Sequence, residues 1–172
     1  MTLHLSPTEI TAAFDEVFDQ AIVFHGFADF MRDYDVVICA TADPRTGIQP
    51  DHLLYRFRHC VRATVTTAVR PDVWPNSLDD RLTDYEQGVE MDGYVWGVKW
   101  QCLYPGMRLI EDSAEAAEWS EKIDLSLYEA LIETNGHNIN LVFSGLDVRT
   151  LEPGWSPFTL PEGGPDGKIP LP

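Results

Sequence analysis

The stretch LYRFRHCVRATVTTAV, residues 54–69, alternates apolar and polar side chains almost without interruption. Strict alternation is typical of a β-strand with one buried face, because successive side chains of a strand point to opposite faces. It predicts one long strand, ended by Pro71 and Pro75. One face carries Tyr55, Phe57, His59, Val61, Ala63, Val65 and Val69, and the other carries Arg56, Arg58, Cys60, Arg62, Thr64 and Thr66.

Shorter strands are predicted on both sides of this one. Residues 34–42 form a β-branched apolar run, and residues 94–104 alternate again. The pair Asn135-Gly136 is a hairpin signal between two further runs. Residues 21–24 leave open whether they extend a helix or begin a strand. The strands are expected at 34–42, 54–69, 94–104, 107–110, 130–134 and 138–143, with Val148 closing the sheet.

Capping signatures predict the helices. Ser6 and Glu9 form a capping box around Pro7, which suits the first helical position, and the helix is expected over 7–20. A second signature begins at Asp112 and predicts a helix over 113–122. A third helix is expected at 77–87. The buried residues expected of the helix over 113–122 are Ala116, Trp119 and Ile123.

These elements predict an α+β fold, with two or three helices on a mainly antiparallel sheet of five or six strands. No regular strand–helix–strand alternation is present, which argues against a doubly wound parallel sheet. One domain is expected over 1–150, followed by a tail over 151–172. The last 21 residues contain six Pro and four Gly, so no regular structure is expected there. Trp155 and Phe158 are nevertheless predicted to lie back on the domain.

The charge of the chain bears on its partners. It carries 28 Asp and Glu against 12 Lys and Arg, a formal net charge of −16. Nucleic acids and anionic membranes are bound through clustered cations, so both are disfavoured as partners. A basic protein is favoured, because complementary fields speed encounter. The alternative is that the charge serves solubility alone.

The cysteines and the hydropathy of the sequence indicate in which cellular compartment the protein is expected. The chain has three cysteines, an odd number, which lie far apart in apolar or strand-like runs: Cys39, Cys60 and Cys102. They predict three reduced core thiols in a cytoplasmic protein. No apolar run approaches the ~20 residues that span a bilayer. The N-terminus lacks a basic segment followed by an apolar one, so no secretory signal is expected.

An arginine row is the first candidate site. Arg56, Arg58 and Arg62 stand at two- and four-residue steps on the polar face of the predicted long strand. A guanidinium binds carboxylate or phosphate through two parallel hydrogen bonds, so this row is a candidate anion site. Surface ion pairs with neighbouring acids are the alternative. His59 falls on the apolar face, where a buried neutral imidazole is expected and a general base or ligand is the alternative.

No familiar catalytic motif is present: the nucleophile elbow, the P-loop, the dinucleotide-binding glycines and the zinc-protease helix motif are all missing. No catalytic residue, cofactor or metal is therefore assigned. An aromatic stripe is the second candidate site, because Trp96 and Trp100 share one face of the predicted strand 94–104 with Tyr94 and Tyr104. The stripe forms either an apolar ligand pocket or part of the core.

Two acidic segments are candidate partner-binding surfaces, because an acidic face would attract a basic partner. Acidic residues also favour the first turn of a helix, which is the alternative explanation for the second segment. The candidates are Asp15, Glu16 and Asp19 in the first helix, and Asp79, Asp80 and Asp84 near the start of the helix over 77–87.

A family resemblance is carried by a pattern of aromatic residues and turns. The segments are FDEVFDQAIVFHGFADFMRDY (14–34), YRFRHCVRATV (55–65), SLDDRLTDYE (77–86), DGYVWGVKWQCLYPG (92–106) and IETNGHNINLVFSGL (132–146). Together they resemble the YxiG-like family, small uncharacterised proteins of actinobacteria and bacilli. The resemblance supplies no catalytic residues. Some members resemble proteins encoded near secreted polymorphic toxins, which implies an immunity role.

Three functions are compatible with this sequence. The favoured one is a cytoplasmic protein-binding domain, such as an immunity-type inhibitor that binds a basic toxin through an acidic surface. The first alternative is a small enzyme or ligand-binding domain with a pocket around His59 and the arginine row. It predicts an open cavity larger than about 300 Å³ lined by these groups. The second alternative is a domain that self-associates through an aromatic face or an edge strand.

Overall fold

The computed structural model describes residues 5–28, 30–40, 51–72 and 101–158. These residues contain two helices and nine strands. The elements are α1 (Pro7–Asp15), β1 (Ala21–Ala28), β2 (Asp33–Ala40), β3 (Asp51–Arg58), β4 (Arg62–Thr67), β5 (Gln101–Cys102), β6 (Gly106–Leu109), α2 (Ala114–Ile123), β7 (Tyr128–Glu133), β8 (His137–Phe143) and β9 (Gly145–Thr150).

The strands form two antiparallel sheets, so the predicted α+β class is confirmed. The first sheet has the order β5-β1-β2-β3-β9, and the second has the order β4-β8-β7-β6. All neighbouring strands run antiparallel. The strands that the sequence placed in a single sheet are thus divided between two.

The chain passes from the first sheet to the second at a left-handed residue, His59. His59 has a φ of 45°, the left-handed region, and it ends β3. The chain then turns through Cys60, whose amide donates to the carbonyl of Arg32 at 2.7 Å. β3 pairs with β2 and β9, whereas β4 pairs with β8. The prediction of one strand over 54–69 is therefore wrong, because periodicity does not reveal a left-handed residue within an alternating run.

The core lies between the two sheets and includes one face of α1. Tyr55 of β3 is fully buried, and its hydroxyl donates to the carbonyl of Ala13 in α1 at 2.7 Å. Phe57 meets Phe143 edge to face, with ring centroids 4.9 Å apart. The core also contains Ile10, Phe14, Val17, Ile22, Val36, Ile38, Leu103, Ala130, Ile132, Ile139, Leu141 and Leu146.

The short strand β5 ties the two sheets together. It pairs with β1, and the amide of Cys102 donates to the side-chain oxygen of Asn135 at 2.9 Å. Asn135-Gly136 is the turn between β7 and β8, so the predicted hairpin is confirmed. A Cβ at Gly136 would stand 2.9 Å from a side-chain carbon of Gln101, so any larger residue there would have to displace the Gln101 side chain.

The helices differ from their predicted bounds. α1 has the expected capping box but ends at Asp15 rather than at residue 20, and residues 21–28 form a strand. Ser113 caps α2, and Ala116 is buried as predicted. Trp119 is half-buried, but Ile123 is 41% exposed, so its predicted burial is wrong. The helix over 77–87 and most of the strand over 94–104 lie outside the described residues. No described helix is long and apolar enough to span a membrane.

The start of the C-terminal segment partly follows its prediction. Trp155 is half-buried and lines a cleft on the first sheet, so it lies back on the domain. Phe158 is 68% exposed, so the same prediction for Phe158 is wrong.

Candidate functional site

Arg56 and Arg58 project from the face of the first sheet that points away from the core, because Tyr55 and Phe57 occupy the inner face. Arg56 donates to both carboxylate oxygens of Asp35, at 2.8 and 2.9 Å. Asp35 is directly opposite on β2 and is fully buried. Sequence analysis left two roles open for this arginine, binding an anion or pairing with a neighbouring acid. The structure shows the second, because the guanidinium is paired with an acid of the adjacent strand.

Arg58 is paired as well. Its Nε lies 3.3 Å from the buried carboxylate of Asp33, and one of its Nη atoms lies 3.5 Å from Asp147. A small cavity of about 200 Å³ adjoins these groups, smaller than the cavity that the enzyme or ligand hypothesis predicts. Its lining includes Arg149 of β9, which has no ion pair with any described residue. Sequence reasoning missed Arg149 because the pairing of β3 with β9 has no local signal.

Arg62 does not join the arginine row. It begins β4 in the second sheet, and its guanidinium lies 3.1 Å from the carboxylate of Glu115 in α2. The expectation that Arg56, Arg58 and Arg62 share one strand face is wrong, for the same reason that 54–69 is not one strand. The two members that remain together are those on β3.

His59 is exposed, so its predicted burial is wrong. Its Nδ1 lies 2.7 Å from the Oγ of Ser144, and Ser144 Oγ is 3.2 Å from the carbonyl of Arg58, to which it can donate. The carboxylate of Asp33 accepts from the backbone amide of His59 at 2.9 Å and does not orient the ring. Among the described residues, the geometry therefore resembles a Ser–His pair without the third group that would fix the imidazole for base catalysis.

The acidic residues of the first helix region form a surface with an aromatic centre. Asp15, Glu16 and Asp19 are exposed, and none has an ion pair with any described residue. Between them Phe18 is 52% exposed, and its ring centroid lies 6.0 Å from that of Tyr104, which is 63% exposed. The Asp19 amide donates to the carbonyl of Leu103, at 2.9 Å, which fixes this arrangement. We call these five side chains, Asp15, Glu16, Phe18, Asp19 and Tyr104, the α1 acidic surface.

The part of the chain that supplies most of this surface is acidic in sequence. Residues 1–31 contain five Asp and Glu and no Lys or Arg, so no cation from this part of the chain can offset them. Sequence reasoning identified the three acids but not the aromatic centre, because a predicted helix over 7–20 gives no signal that residue 18 lies beside residue 104. The helix ends at Asp15, and a positive φ of 61° at Asp19 redirects the chain.

A half-buried pair of histidines, His25 and His137, lies where the two sheets meet. The Nδ1 of His25 is 2.8 Å from the hydroxyl of Tyr34, and its ring centroid is 6.5 Å from that of His137. Burial lowers the pKa of His25 below its usual value of 6.5, and the nearby His137 lowers it further. Burial also raises the pKa of Tyr34 to about 12. These shifts keep both groups neutral at physiological pH.

The other candidates of the sequence fall outside the described residues. These are Trp96 and Trp100 of the aromatic stripe, and Asp79, Asp80 and Asp84 of the second acidic segment.

Comparison with known proteins identifies a family. A family model described as YxiG-like protein matches residues 6–161, which is most of the chain. Neither the search of curated proteins nor the search of solved structures finds a match.

Proposed function

We propose that this chain, which belongs to the YxiG-like family, is a cytoplasmic binding protein for a basic protein partner, and that it acts as an immunity-type inhibitor of a toxin. One observation carries the proposal: the α1 acidic surface combines an exposed aromatic pair with three carboxylates that form no ion pair with any described residue. The inhibitor role follows from the family resemblance. The three free cysteines support the cytoplasmic location.

The composition of this surface suits protein binding. Energetically important interface residues are commonly aromatic and lie at the centre of a contact, with polar groups at the rim that exclude water. Phe18 and Tyr104 supply such a centre, and the carboxylates supply the rim. Exposed acids contribute mainly to the rate of association and to the choice of partner. A basic partner would therefore associate rapidly, and salt would weaken the complex.

The first experiment identifies the partner. Purified protein serves as bait in native lysate at about 50 mM and 500 mM salt, where screening differs strongly. The expected result is a stoichiometric basic protein that is retained at low salt and released at high salt. Recovery of only further copies of the chain would support self-association instead. The proposal would be contradicted if the bait retained no protein, or if it retained a partner that high salt does not release.

The second experiment locates the interface with the partner so identified. We expect the triple variant Asp15→Asn, Glu16→Gln, Asp19→Asn to lower the association rate about tenfold at low salt and to flatten its salt dependence. The matched control is Glu111→Gln, Asp112→Asn, Glu121→Gln, which removes the same charge from exposed positions around α2. An equal loss in both variants would mean that net charge alone drives binding.

A substitution at Phe18 tests the aromatic part of the proposed interface independently of the carboxylates. Phe18→Ser removes the exposed ring and leaves every carboxylate in place. We expect faster dissociation of the complex with an unchanged salt dependence, because an aromatic anchor acts through contact rather than through long-range attraction. Affinity that is unchanged by this substitution would exclude the aromatic pair from the interface.

A further inference from the structure

A cleft of about 640 Å³ lies on the first sheet, where β1, β2 and β3 meet the segment after β9. Its volume falls in the range of small-molecule binding sites. None of the five residues of the α1 acidic surface lines it. The cleft is therefore a separate feature, and an inference from it does not depend on the proposed function.

A β-bulge forms one wall. Ile22 is opposite Ile38, but Phe24 is opposite Val37, so Val23 is an extra residue in β1. Bulges redirect side chains and are common beside functional sites. Here the bulge brings both Val23 and Phe24 to the cleft, next to the buried Val37. Three apolar side chains thus form a continuous surface at this wall.

A tight turn forms the opposite wall. The amide of Leu151 donates to the carbonyl of His52 at 2.7 Å, which fixes the chain as it leaves β9. The amide of Trp155 then donates to the carbonyl of Glu152 at 3.1 Å, and Gly154 has a φ of 82°. Pro and Gly at the two central positions are typical of a type II turn. The turn places the half-buried Trp155 at the cleft.

The charged side chains at the cleft indicate which charge a bound ligand would carry. Asp51 and Glu152 line it and are exposed, and neither has an ion pair with any residue that the structure describes. No Lys or Arg is among the described residues that line it. Aromatic faces attract cations through the ring quadrupole, and carboxylates add direct attraction. An anionic ligand would meet repulsion from the same two acids and from the net charge of the chain.

We infer that this cleft binds a small organic cation with an apolar body, such as an aromatic amine or a quaternary ammonium compound. The apolar part lies against Phe24 and Val37, and the cationic group lies between Trp155 and the two carboxylates. The site uses none of the residues that sequence reasoning singled out as ligand candidates.

Titration with benzyltrimethylammonium, followed by NMR of the full chain, tests the inference. We expect resonances of Phe24, Val37 and Trp155 to shift, with a Kd of about 1 mM or tighter. Benzenesulfonate is the matched probe of opposite charge and should not bind. Equal shifts with both probes, or none with the cation up to about tenfold above that concentration, would overturn the inference.

Two sets of variants separate the contribution of the aromatic ring from that of the two carboxylates. We expect Trp155→Ala to weaken binding of the cation about fivefold or more, and Asp51→Asn with Glu152→Gln to weaken it by a similar factor. Asp112→Asn with Glu121→Gln makes the same charge change at exposed positions remote in sequence from the cleft and should leave the Kd within about twofold. Binding that survives both cleft variants unchanged would place the cation elsewhere.

Discussion

Asp35 and Arg56 stand directly opposite each other on β2 and β3, and two hydrogen bonds of 2.8 and 2.9 Å join them. The carboxylate is fully buried, whereas the arginine side chain keeps 22% of its surface exposed. A carboxylate removed from water is tolerated only when its oxygens are paired. Arg56 is therefore first a structural partner of Asp35, and its guanidinium has little freedom to bind a separate anion.

Replacing one member of this pair should reveal its structural importance. We expect Asp35→Asn to lower the free energy of unfolding by about 2–4 kcal/mol, because the half-buried guanidinium of Arg56 loses its charged partner. Urea denaturation measures the loss. In the double variant with Arg56→Gln the two losses should not add, since each single change already breaks the pair. Strict additivity would show that the two side chains do not stabilise each other.

Stability should depend on pH through His25. Its pKa in the folded protein lies below the usual 6.5, so the folded state binds fewer protons than the unfolded chain. Its contribution is therefore fully present above pH 6.5 and falls as the pH drops from about 6.5 towards the folded pKa. Relative to His25→Gln, the wild-type protein should lose stability between pH 7.5 and 5.5. The measurement is urea denaturation of both proteins at each pH.

His137 supplies the control for this prediction. Burial is the larger cause of the lowered pKa of His25 and the charge of His137 is the smaller one, so His137→Gln should keep most of the pH dependence. A constant difference between wild type and His25→Gln across this range would contradict the assignment.

The turn between β1 and β2 carries removable strain. Phe30 and Met31 have φ values of 60° and 63°, and they are 89% and 74% exposed. A left-handed conformation costs a bulky residue about 1–2 kcal/mol, and here burial offsets little of that cost. We expect Phe30→Asn with Met31→Gly to raise the free energy of unfolding by about 1 kcal/mol. Urea denaturation of the double and both single variants tests this, and a clear loss of stability would be the opposite result.

Cys60 should be nearly inert in the folded protein. Burial raises the pKa of its thiol to about 11, so about one molecule in a thousand carries the thiolate at pH 8. Iodoacetamide should therefore modify Cys60 at least about 100-fold more slowly in the native protein than in urea. Mass spectrometry of the peptide that contains Cys60 provides the rate. Similar rates in both conditions would mean that the site opens readily to solvent.

The parts of the fold that local sequence determines were predictable. The capping box at Ser6, the turn at Asn135-Gly136 and the inward direction of Tyr55 and Phe57 each follow from residues that are close in the chain. The division into two sheets was not predictable, because His59 breaks an alternating pattern that continues on both sides of it.

The candidate sites show the same limit. Asp15, Glu16 and Asp19 could be identified as an acidic segment, since charge is a local property of the sequence. The contact of Phe18 with Tyr104, and the presence of Arg149 and Arg58 in the lining of one cavity, depend on chain segments tens of residues apart. Such neighbours follow only from strand pairing, which hydrophobic periodicity does not specify.

The pairing of β3 with β9 has a consequence for the nascent protein. These strands are separated by more than 80 residues, so a ribosome that has completed β3 must still synthesise most of the chain before its partner emerges. Until then the edge of β3 presents unpaired amides and carbonyls, the kind of template on which chains aggregate. β4 likewise lacks its pairing partner until β8 has been synthesised. We therefore expect production of this protein in cells to be sensitive to translation speed and to chaperones that shield open strand edges.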